Sequence, residues 1–382
     1  MSRERIQGQG GLVIDIPLLL IVFAIAAVGL LNLRSAAEVD GVAHHLTQLL
    51  WMGLGLVGAT AIASQDYRIA ERGAWVFYGV VVLLLGATLV IGTELNNSRR
   101  WIDLGVFMLQ PSEITKLATI IVTARWFADH ERPDGHSLMD LIPPLGLVLV
   151  PFTLILMQPD LGTGLTILLI FATMVAFERV RWTAYAVMAG AAAIIAPLMW
   201  AFVLLPYQKR RIMTFLNPGE NLQGDAWQVS QARIAIGSGR WFGKGYLQGT
   251  QVQNGFVPEH ENDFIFTHHG EQFGFIGSLV LIGLFAALIL WALRIARHGR
   301  DRFAVLTAVG IAAFIFWHVV INLGMVTGAL PVVGLWLPMV SYGGNAMLTT
   351  LFTLGLLMSI SMRRYGFAGG SSRRSRGGSD LL

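Results

Sequence analysis

The sequence contains no cysteine, and only 13% of its 382 residues are charged. The absence of cysteine excludes disulfide bonds and thiolate chemistry. A soluble globular domain carries roughly 25% charged residues, so the low charge excludes an ordinary soluble domain. The net charge of +4 is small, and it requires no nucleic-acid partner. Hydrophobic residues make up 54% of the chain, which is the composition of an integral membrane protein.

Long apolar runs recur along the whole chain. A membrane-spanning helix needs about 20 mostly apolar residues. We count about ten candidates: 13–33, 46–64, 74–92, 110–128, 138–157, 161–178, 183–205, 264–293, 303–327 and 337–361. The sequence shows no strand alternation that would predict a membrane barrel.

The first apolar run is too long for the core of a signal peptide and contains Asp15, so we interpret it as a retained span. We therefore predict an all-α polytopic membrane protein. A single transmembrane domain is expected over 1–367, with a large extracytoplasmic loop over 206–262. The Gly/Ser/Arg-rich end, 368–382, is expected to be a disordered cytoplasmic tail.

The distribution of arginine predicts the orientation, because short cytoplasmic loops are enriched in Lys and Arg. With an even number of spans and both termini inside, the inside segments hold Arg3, Arg5, Arg68, Arg72, Arg132, Arg179, Arg181, Arg294, Arg297, Arg300, Arg302, Arg363, Arg364, Arg373, Arg374 and Arg376. Both termini are therefore expected in the cytoplasm.

Two outside segments are also basic. Arg99 and Arg100 lie in one, and the large loop holds Lys209, Arg210, Arg211, Arg233, Arg240 and Lys244. Long loops are translocated regardless of charge, which is one explanation. The other is that these cations bind lipid-linked phosphate or pyrophosphate, since Arg and Lys suit phosphate oxygens. The glycine-rich run IGSGRWFGKGYLQG could add backbone N–H donors for the same anion.

Several ionisable or polar residues lie inside the predicted spans, where they are costly and usually face a bundle interior. Glu113 and Lys116 are three residues apart, so they can pair on one helix face; a structural and a functional pair remain equally open. Asp160 either caps the sixth span or reaches Lys116. His318 and Asn322 are four apart, and interhelical hydrogen bonding explains them best.

An acidic cluster precedes the eighth span in VPEHENDFIFTHHGEQFGFIG, residues 257–277. If the helix begins near Asp263, then Asp263, Thr267 and Glu271 share one face. The plain explanation makes Asp263 an N-cap favoured by the helix dipole. The chemical explanation makes it a base beside a bound phosphate ester. Glu259 and Glu261 permit a divalent cation here, but no ligand spacing demands one.

Taken together, eight motifs resemble one family, the SEDS proteins, which are peptidoglycan glycosyltransferases. The motifs follow the family order and span nearly the whole chain. Within the family, the run GMVTGALPVVGLWLPMVSYGG looks closer to the rod-shape elongation branch, RodA, than to the division branch. The matching stretches are RRWIDLG (99–105), QPSEITK (110–116), QPDLGTG (158–164), RRIMTFLNP (210–218), QARIAIGSG (231–239), FGKGYLQGTQ (242–251), VPE with DFIF (257–259, 263–266) and LPMVSYGGN (337–345).

The resemblance implies ten transmembrane helices in the bacterial inner membrane and an outward-facing site that polymerises lipid II. It also implies a class B penicillin-binding protein as partner. The family's essential acidic residue falls on Asp263 and its outer-motif tryptophan on Trp101. The family's supporting residues fall on Glu113, Lys116 and Asp160. One departure is that Thr267, His268 and His269 stand where an apolar run is usual.

The mechanism expected from this resemblance makes Asp263 the general base for the acceptor sugar hydroxyl. Developing charge on the leaving pyrophosphate would be stabilised by loop cations. We expect Trp101 to contact substrate. A divalent cation is an open possibility, and no cofactor is certain. The candidate cations are Arg210, Arg211, Arg233, Arg240 and Lys244.

Three other functions remain open at this stage. A lipid II flippase would use the same basic groove to carry the lipid without polymerising it. A non-catalytic scaffold of the cell-wall synthesis complex would tolerate changes at Asp263. A zinc hydrolase would use His260, His268 and His269, but adjacent histidines point about 100° apart on a helix and do not easily share one metal.

Overall fold

The computed structural model describes residues 14–95, 98–105, 107–217, 225–256 and 261–363. The predicted tail, 368–382, lies outside these residues, as do Glu259 and His260. The described chain is mainly helical, with a small antiparallel sheet of β1 (Thr93–Leu95), β2 (Ser98–Asp103) and β3 (Met108–Leu109).

Thirteen α-helices are present in the described residues. They are α1 (Ile16–Asp40), α2 (His44–Ser64), α3 (Tyr67–Ile91), α4 (Pro111–Asp129), α5 (Leu138–Met157), α6 (Leu161–Ala176), α7 (Trp182–Leu198), α8 (Pro206–Leu216), α9 (Asp225–Ser238), α10 (Thr250–Gln253), α11 (Ile265–Arg297), α12 (Arg302–Thr327) and α13 (Gly344–Arg363). A π-helical turn, Met199–Val203, continues α7.

Each predicted span overlaps one of these helices, namely α1 to α7 and α11 to α13. By length and composition, eight of the described helices could cross a membrane: α1, α2, α3, α5, α7, α11, α12 and α13. The sixth, α6, is apolar but has 16 residues, and α4 has 19. The all-α polytopic membrane fold is thus confirmed, while the count of ten stays a prediction.

The start of the tenth span is wrong, because α13 begins at Gly344 and not at 337. Residues 328–343, which we call the α12–α13 segment, bond to other parts of the chain and form no helix. Leu337 N–H donates to Ser341 Oγ over 2.8 Å, and Gly343 N–H donates to Gln48 Oε1 over 3.2 Å. An apolar pattern alone could not distinguish this buried irregular segment from a helix.

The predicted large loop, 206–262, contains three helices, α8, α9 and α10, which the sequence analysis missed. A weak signal was present in α9, where Val229, Ala232 and Ala235 recur every three residues. Ala232 and Ala235 are fully buried, and α9 packs against α11. The helices of this region therefore form part of the packed structure.

Close packing of α2 against α13 depends on small residues, as is common between membrane helices. A Cβ on Gly355 would lie 2.6 Å from the carbonyl oxygen of Ala59. A Cβ on Gly55 would contact the side chain of Leu351. The hydrophobic effect does not drive helix association in a membrane, because lipid tails are as apolar as the side chains. The two backbones therefore approach closely and are held by van der Waals contact.

The bundle has two distinct ends, each defined by contacts between helix termini. At the sheet end, the start of α13 meets the sheet, since Asn345 Nδ2 donates to the carbonyl of Met108 over 2.7 Å. At the Arg-rich end, Tyr67 Oη donates to Asp301 Oδ2 over 2.6 Å. Ser359 Oγ also donates to the carbonyl of Gln65 over 2.6 Å. The helices alternate between these ends, as expected for successive spans.

The Arg-rich end holds an ion-pair network between loops that are far apart in sequence. Arg302 bonds to the buried carboxylate of Glu178, and to Glu131 Oε1 over 2.6 Å. Beside it, burial lowers the pKa of His136, although the Glu178 carboxylate 4.0 Å away acts in the opposite direction. The network ties the start of α12 to the ends of α4 and α6.

Candidate functional site

Asp263 lies at the sheet end, in the turn that precedes α11. The helix begins at Ile265, with Phe264 at the N-cap position and no side-chain capping bond. Asp263 is therefore neither the N-cap of this helix nor part of a helix face shared with Thr267 and Glu271. Both of those predictions are wrong, because the helix begins two residues after the aspartate.

Side chains of neighbouring elements hold the backbone of this turn. Asn322 Nδ2, from α12, donates to the carbonyl of Asp263 over 2.8 Å. Ser341 Oγ, from the α12–α13 segment, donates to the carbonyl of Asn262 over 2.7 Å. Two successive peptide carbonyls are thus held by groups about sixty and eighty residues away in sequence.

The carboxylate of Asp263 lies against the α12–α13 segment. A Cβ placed on Gly334 would be 3.3 Å from Asp263 Oδ2, and Gly334 has a φ of 74°. The left-handed backbone conformation favours glycine here, and a Cβ would also press against the carboxylate. The Asp263 side chain is half-buried, so it retains access to the surface.

The predicted Glu113–Lys116 pair is present, and it is buried. Lys116 Nζ lies 2.9 and 3.0 Å from the two carboxylate oxygens of Glu113. The ammonium also lies 3.2 Å from His318 Nε2 and 4.8 Å from the centre of the Trp336 ring. The lysine side chain is 0% exposed, so these groups take the place of water around its charge.

Asp160 caps α6, as the plain explanation predicted. Its Oδ1 accepts a hydrogen bond from Thr163 N–H over 3.2 Å. The start of α6 also packs against the α12–α13 segment, because a Cβ on Gly162 would lie 2.6 Å from the carbonyl oxygen of Val333. Asp160 therefore supports the same segment that lies against Asp263.

The candidate cations differ in their surroundings. Arg210 on α8 and Arg233 on α9 are exposed, whereas Arg211 is half-buried and has contacts of its own. The Arg233 side chain passes over Gly328, where a Cβ would lie 3.2 Å from Arg233 Cδ. Arg233 thus lies at the start of the α12–α13 segment. Arg240 is also exposed.

The charge of Lys244 has a buried partner, Glu271. Its Nζ lies 2.6 Å from Glu271 Oε1. The fully buried Glu271 carboxylate also accepts hydrogen bonds from Gln251 N–H over 2.8 Å and Val252 N–H over 3.1 Å. Because Glu271 neutralises the ammonium, the contacts favour an anchoring role for Lys244.

Three successive N–H groups of the glycine-rich run, 243–245, donate to carbonyls of the protein. Gly243 N–H donates to the carbonyl of Gly239 over 2.7 Å, and Lys244 N–H to that of Glu271 over 3.0 Å. Gly245 N–H donates to the carbonyl of Gln272 over 3.1 Å. These three donors are used inside the protein, and the anion-binding role of the run stays a prediction.

The same run completes a break in α11. Gly274 has φ 65° and ψ −159°, which interrupts the helical ladder. The freed Phe275 N–H donates to the carbonyl of Arg240 over 2.8 Å, and Ile276 N–H to that of Trp241 over 3.1 Å. Buried backbone donors need such partners. The glycine-rich run 236–249, which we call the basic loop, and α11 therefore form one interlocked unit.

Trp101 lies on β2 and is half-buried. It pairs with Thr93 of β1, and β2 packs against α3 and α4. Its neighbour Arg100 donates to the carbonyls of Gln158 and Pro159. The hairpin is thereby attached to the α5–α6 connection at the sheet end. Trp101 belongs to this hairpin, which is separate from the turn that carries Asp263.

The histidines of α11 have separate surroundings. His269 Nδ1 lies 3.2 Å from Asn32 Nδ2, and His268 Nδ1 lies 3.5 Å from Gln272 Nε2. Across the described residues, no three His, Asp or Glu side chains are grouped as metal ligands. His260 and Glu259 lie outside that part of the chain.

Sequence reasoning missed Gly334 and Ser341, which lie beside the Asp263 turn, and Trp336, which lies beside Lys116 and His318. The run LPMVSYGGN indicated a motif, but not that Ser341 bonds to the peptide before Asp263. The predicted interhelical hydrogen bond is confirmed for His318, whereas Asn322 bonds to the carbonyls of two non-helical residues, Asp263 and Leu335. His318 contacts Lys116 and the carbonyl of Trp336.

A family model described as "Cell cycle protein", for FtsW, RodA and SpoVE, matches residues 12–366. The chain is 35% identical to peptidoglycan glycosyltransferase MrdB of Escherichia coli K12, with 92% of this chain and 94% of that protein covered. It is also 35% identical to a probable peptidoglycan glycosyltransferase FtsW of Trichlorobacter lovleyi, with 91% and 93% covered.

Two solved structures have the same fold. One comes from work on structural coordination of polymerization and crosslinking by a peptidoglycan synthase complex; it has a TM-score of 0.80 at 31% identity, and covers 93% of this chain and 99% of that one. The other is the rod shape determining protein RodA of Thermus thermophilus, with a TM-score of 0.70 at 29% identity, and 94% and 99% covered.

Proposed function

The chain belongs to the FtsW/RodA/SpoVE family of cell cycle proteins, and from that premise we infer that it is a peptidoglycan glycosyltransferase whose substrate is lipid II. In lipid II, a disaccharide-pentapeptide is linked to undecaprenyl pyrophosphate. The enzyme would join two such lipids into a growing glycan strand. The observation that carries the site assignment is a half-buried carboxylate, Asp263, beside the α12–α13 segment, over whose start the exposed Arg233 side chain lies.

In the proposed reaction, the 4-hydroxyl of an acceptor GlcNAc attacks the anomeric carbon of a donor MurNAc. The new glycosidic C–O bond forms as the bond from that carbon to the pyrophosphate oxygen breaks. Asp263 takes the hydroxyl proton, and undecaprenyl pyrophosphate leaves with the bonding electrons. General base catalysis of this kind contributes typically 10²–10⁴-fold.

The developing charge on the pyrophosphate would be stabilised by exposed cations. Arg233 is the first candidate, because it lies over the start of the α12–α13 segment. Arg210, Arg211 and Arg240 remain candidates on neighbouring elements. Lys244 is proposed to act indirectly, by anchoring the basic loop to Glu271. A divalent cation could share the leaving-group role, and Trp101 is proposed to contact a sugar.

We further propose a role in cell elongation with a class B penicillin-binding protein as partner. The resemblance to RodA supports the first proposal. The second is supported by the similar structure from a synthase complex described as coordinating polymerization and crosslinking. The proposed location is the bacterial inner membrane, with the sheet end facing outward and both termini cytoplasmic.

The test is polymerisation of lipid II by the purified chain, with and without its partner. Asp263→Asn keeps the side-chain volume but removes the base, and we expect a loss of about 10² to 10⁴-fold. The matched control is Glu94→Gln, which removes an exposed carboxylate from the same end and should retain activity. Wild-type polymerisation by the Asp263→Asn variant would contradict the assignment.

The same assay separates the alternatives. Detergent micelles have no leaflets to cross, so a flippase would form no glycan product there. A scaffold would remain functional in cells after Asp263→Asn. Loss of growth together with loss of product in detergent supports the enzyme, while a folded but productless wild-type chain with its partner present would argue against it.

A further inference from the structure

We propose that His318 and Asn322 are positioning residues that hold Asp263 in place through the carbonyls of the α12–α13 segment. This inference rests on the proposed function, because it assumes that Asp263 is the base. The two residues lie four apart on one face of α12. Each is fully buried and contacts the segment that lies against Asp263.

The hydrogen-bond roles of His318 follow from its neighbours. An ammonium group has three donors and no acceptor, so His318 Nε2, 3.2 Å from Lys116 Nζ, must accept. The ring proton then lies on Nδ1, which donates to the carbonyl of Trp336 over 3.1 Å. Neutral His318 thus connects the Glu113–Lys116 pair to the α12–α13 segment.

Asn322 makes the next connection. Its Nδ2 donates one hydrogen to the carbonyl of Leu335 over 2.7 Å and the other to the carbonyl of Asp263 over 2.8 Å. One amide group therefore joins the segment to the catalytic turn. Successive carbonyls, those of Leu335 and Trp336, are held by residues one helical turn apart.

These bonds form a continuous path from α4 to the proposed base. Lys116 bonds to His318, His318 to the carbonyl of Trp336, and Asn322 to both Leu335 and Asp263. Asn322 bonds to the carbonyl of Asp263 itself, and a Cβ on Gly334 would lie 3.3 Å from the Asp263 carboxylate, so a shift of the segment would disturb the position of the carboxylate. A misplacement of about 1 Å can cost about 10²-fold in rate.

The distinguishing pair of variants is His318→Phe and His318→Gln. The histidine ring packs 4.8 Å from the Phe314 ring and 4.2 Å from the Trp336 ring, between centres. Phenylalanine keeps that packing and loses both hydrogen bonds. Glutamine loses the ring, but can accept from Lys116 and donate to the Trp336 carbonyl.

We expect His318→Phe to lower kcat for lipid II polymerisation by about 10- to 100-fold, with KM within about threefold, because the base is displaced while the binding surface remains. His318→Gln should keep kcat within about threefold of wild type. If packing alone mattered, the order would be reversed, and that result, or a wild-type kcat for His318→Phe, would overturn the proposal.

A second variant tests the path independently. Asn322→Leu has similar volume and no donor, so kcat should fall as for His318→Phe. The control is Thr307→Val, another buried polar residue of α12, which should leave kcat unchanged. If neither His318→Phe nor Asn322→Leu folds, as judged by thermal unfolding and gel filtration, the residues support the fold as a whole and the proposal is overturned.

The variants distinguish the role of Asp263 as base from the positioning role of His318 and Asn322. Wild-type activity of Asp263→Asn would show that Asp263 is not the base, and the proposed function of the turn would then be wrong. An inactive Asp263→Asn beside fully active His318→Phe and Asn322→Leu would leave the base in place and remove only the positioning role.

Discussion

At the scale of single residues, burial decides what each charge can do. The Glu113–Lys116 pair is almost completely removed from water, and desolvation of two charges opposes the attraction between them. The pair is therefore weak evidence for net stability. Removing one partner, however, leaves the other charge buried and unpaired, which is strongly unfavourable. The His318 ring cannot replace the carboxylate, since it carries no negative charge.

The residue-scale prediction concerns this pair. Lys116→Met should lower the free energy of unfolding by about 3–5 kcal/mol, because the Glu113 carboxylate is left buried without its cation. The double variant Glu113→Gln/Lys116→Met should recover most of that loss. Denaturant or thermal unfolding in detergent measures both. If the single and double variants were equally stable, the Glu113 carboxylate would not be left as an unpaired buried charge in Lys116→Met, and the prediction would be wrong.

At the scale of elements, α11 acts as two helical pieces joined at Gly274. The break lets the backbone of the basic loop complete the helix ladder, and Glu271 fastens the same loop one turn earlier. Burial also raises the pKa of Tyr246, so its hydroxyl stays protonated and donates to the carbonyl of Leu31. The loop is thus attached to both α11 and α1.

The element-scale prediction is a comparison of two glycines of α11. Gly274→Ala should destabilise the protein by at least about 1–3 kcal/mol, since its positive φ strains an alanine and a Cβ would overlap the backbone nitrogen of Gly243. Polymerase activity should fall as well, because the basic loop must move. Thermal unfolding and the polymerisation rate check both effects.

The matched control is Gly283→Ala in the same helix, where a Cβ meets nothing within 4 Å. Alanine favours a helix over glycine by about 1 kcal/mol, so this variant should be as stable as wild type or slightly more stable. Equal effects of the two substitutions would contradict the interlocked arrangement.

At the scale of the whole molecule, the two ends carry different groups. Arginine ion pairs between different elements occupy one end, and the sheet, the α12–α13 segment and Asp263 occupy the other. Alternation of helices between the ends follows from a membrane of fixed thickness. The enrichment of arginine at one end favours the cytoplasm there, which would direct Asp263 outward.

The prediction for the whole molecule concerns its orientation in the membrane. Because the chain contains no cysteine, a single introduced cysteine is the only thiol in it that a reagent can label. Asn254→Cys at the sheet end and Asp134→Cys at the Arg-rich end both replace exposed residues. A membrane-impermeant thiol reagent should label the first in intact spheroplasts and the second only after permeabilisation. The reverse pattern would place Asp263 at the cytoplasmic side.

The helical membrane fold follows from the chain alone, because apolar runs of about 20 residues have few other stable outcomes in a bilayer. Local spacing and motifs, which are visible along the chain, also identify Asp263, the Glu113–Lys116 pair and the capping residue Asp160. Three features depend on the folded arrangement: Asp263 precedes its helix, Lys244 pairs with Glu271, and Asn322 joins Asp263 to the α12–α13 segment. Those contacts depend on long-range packing, which brings together residues whose separation in sequence carries no periodic signal.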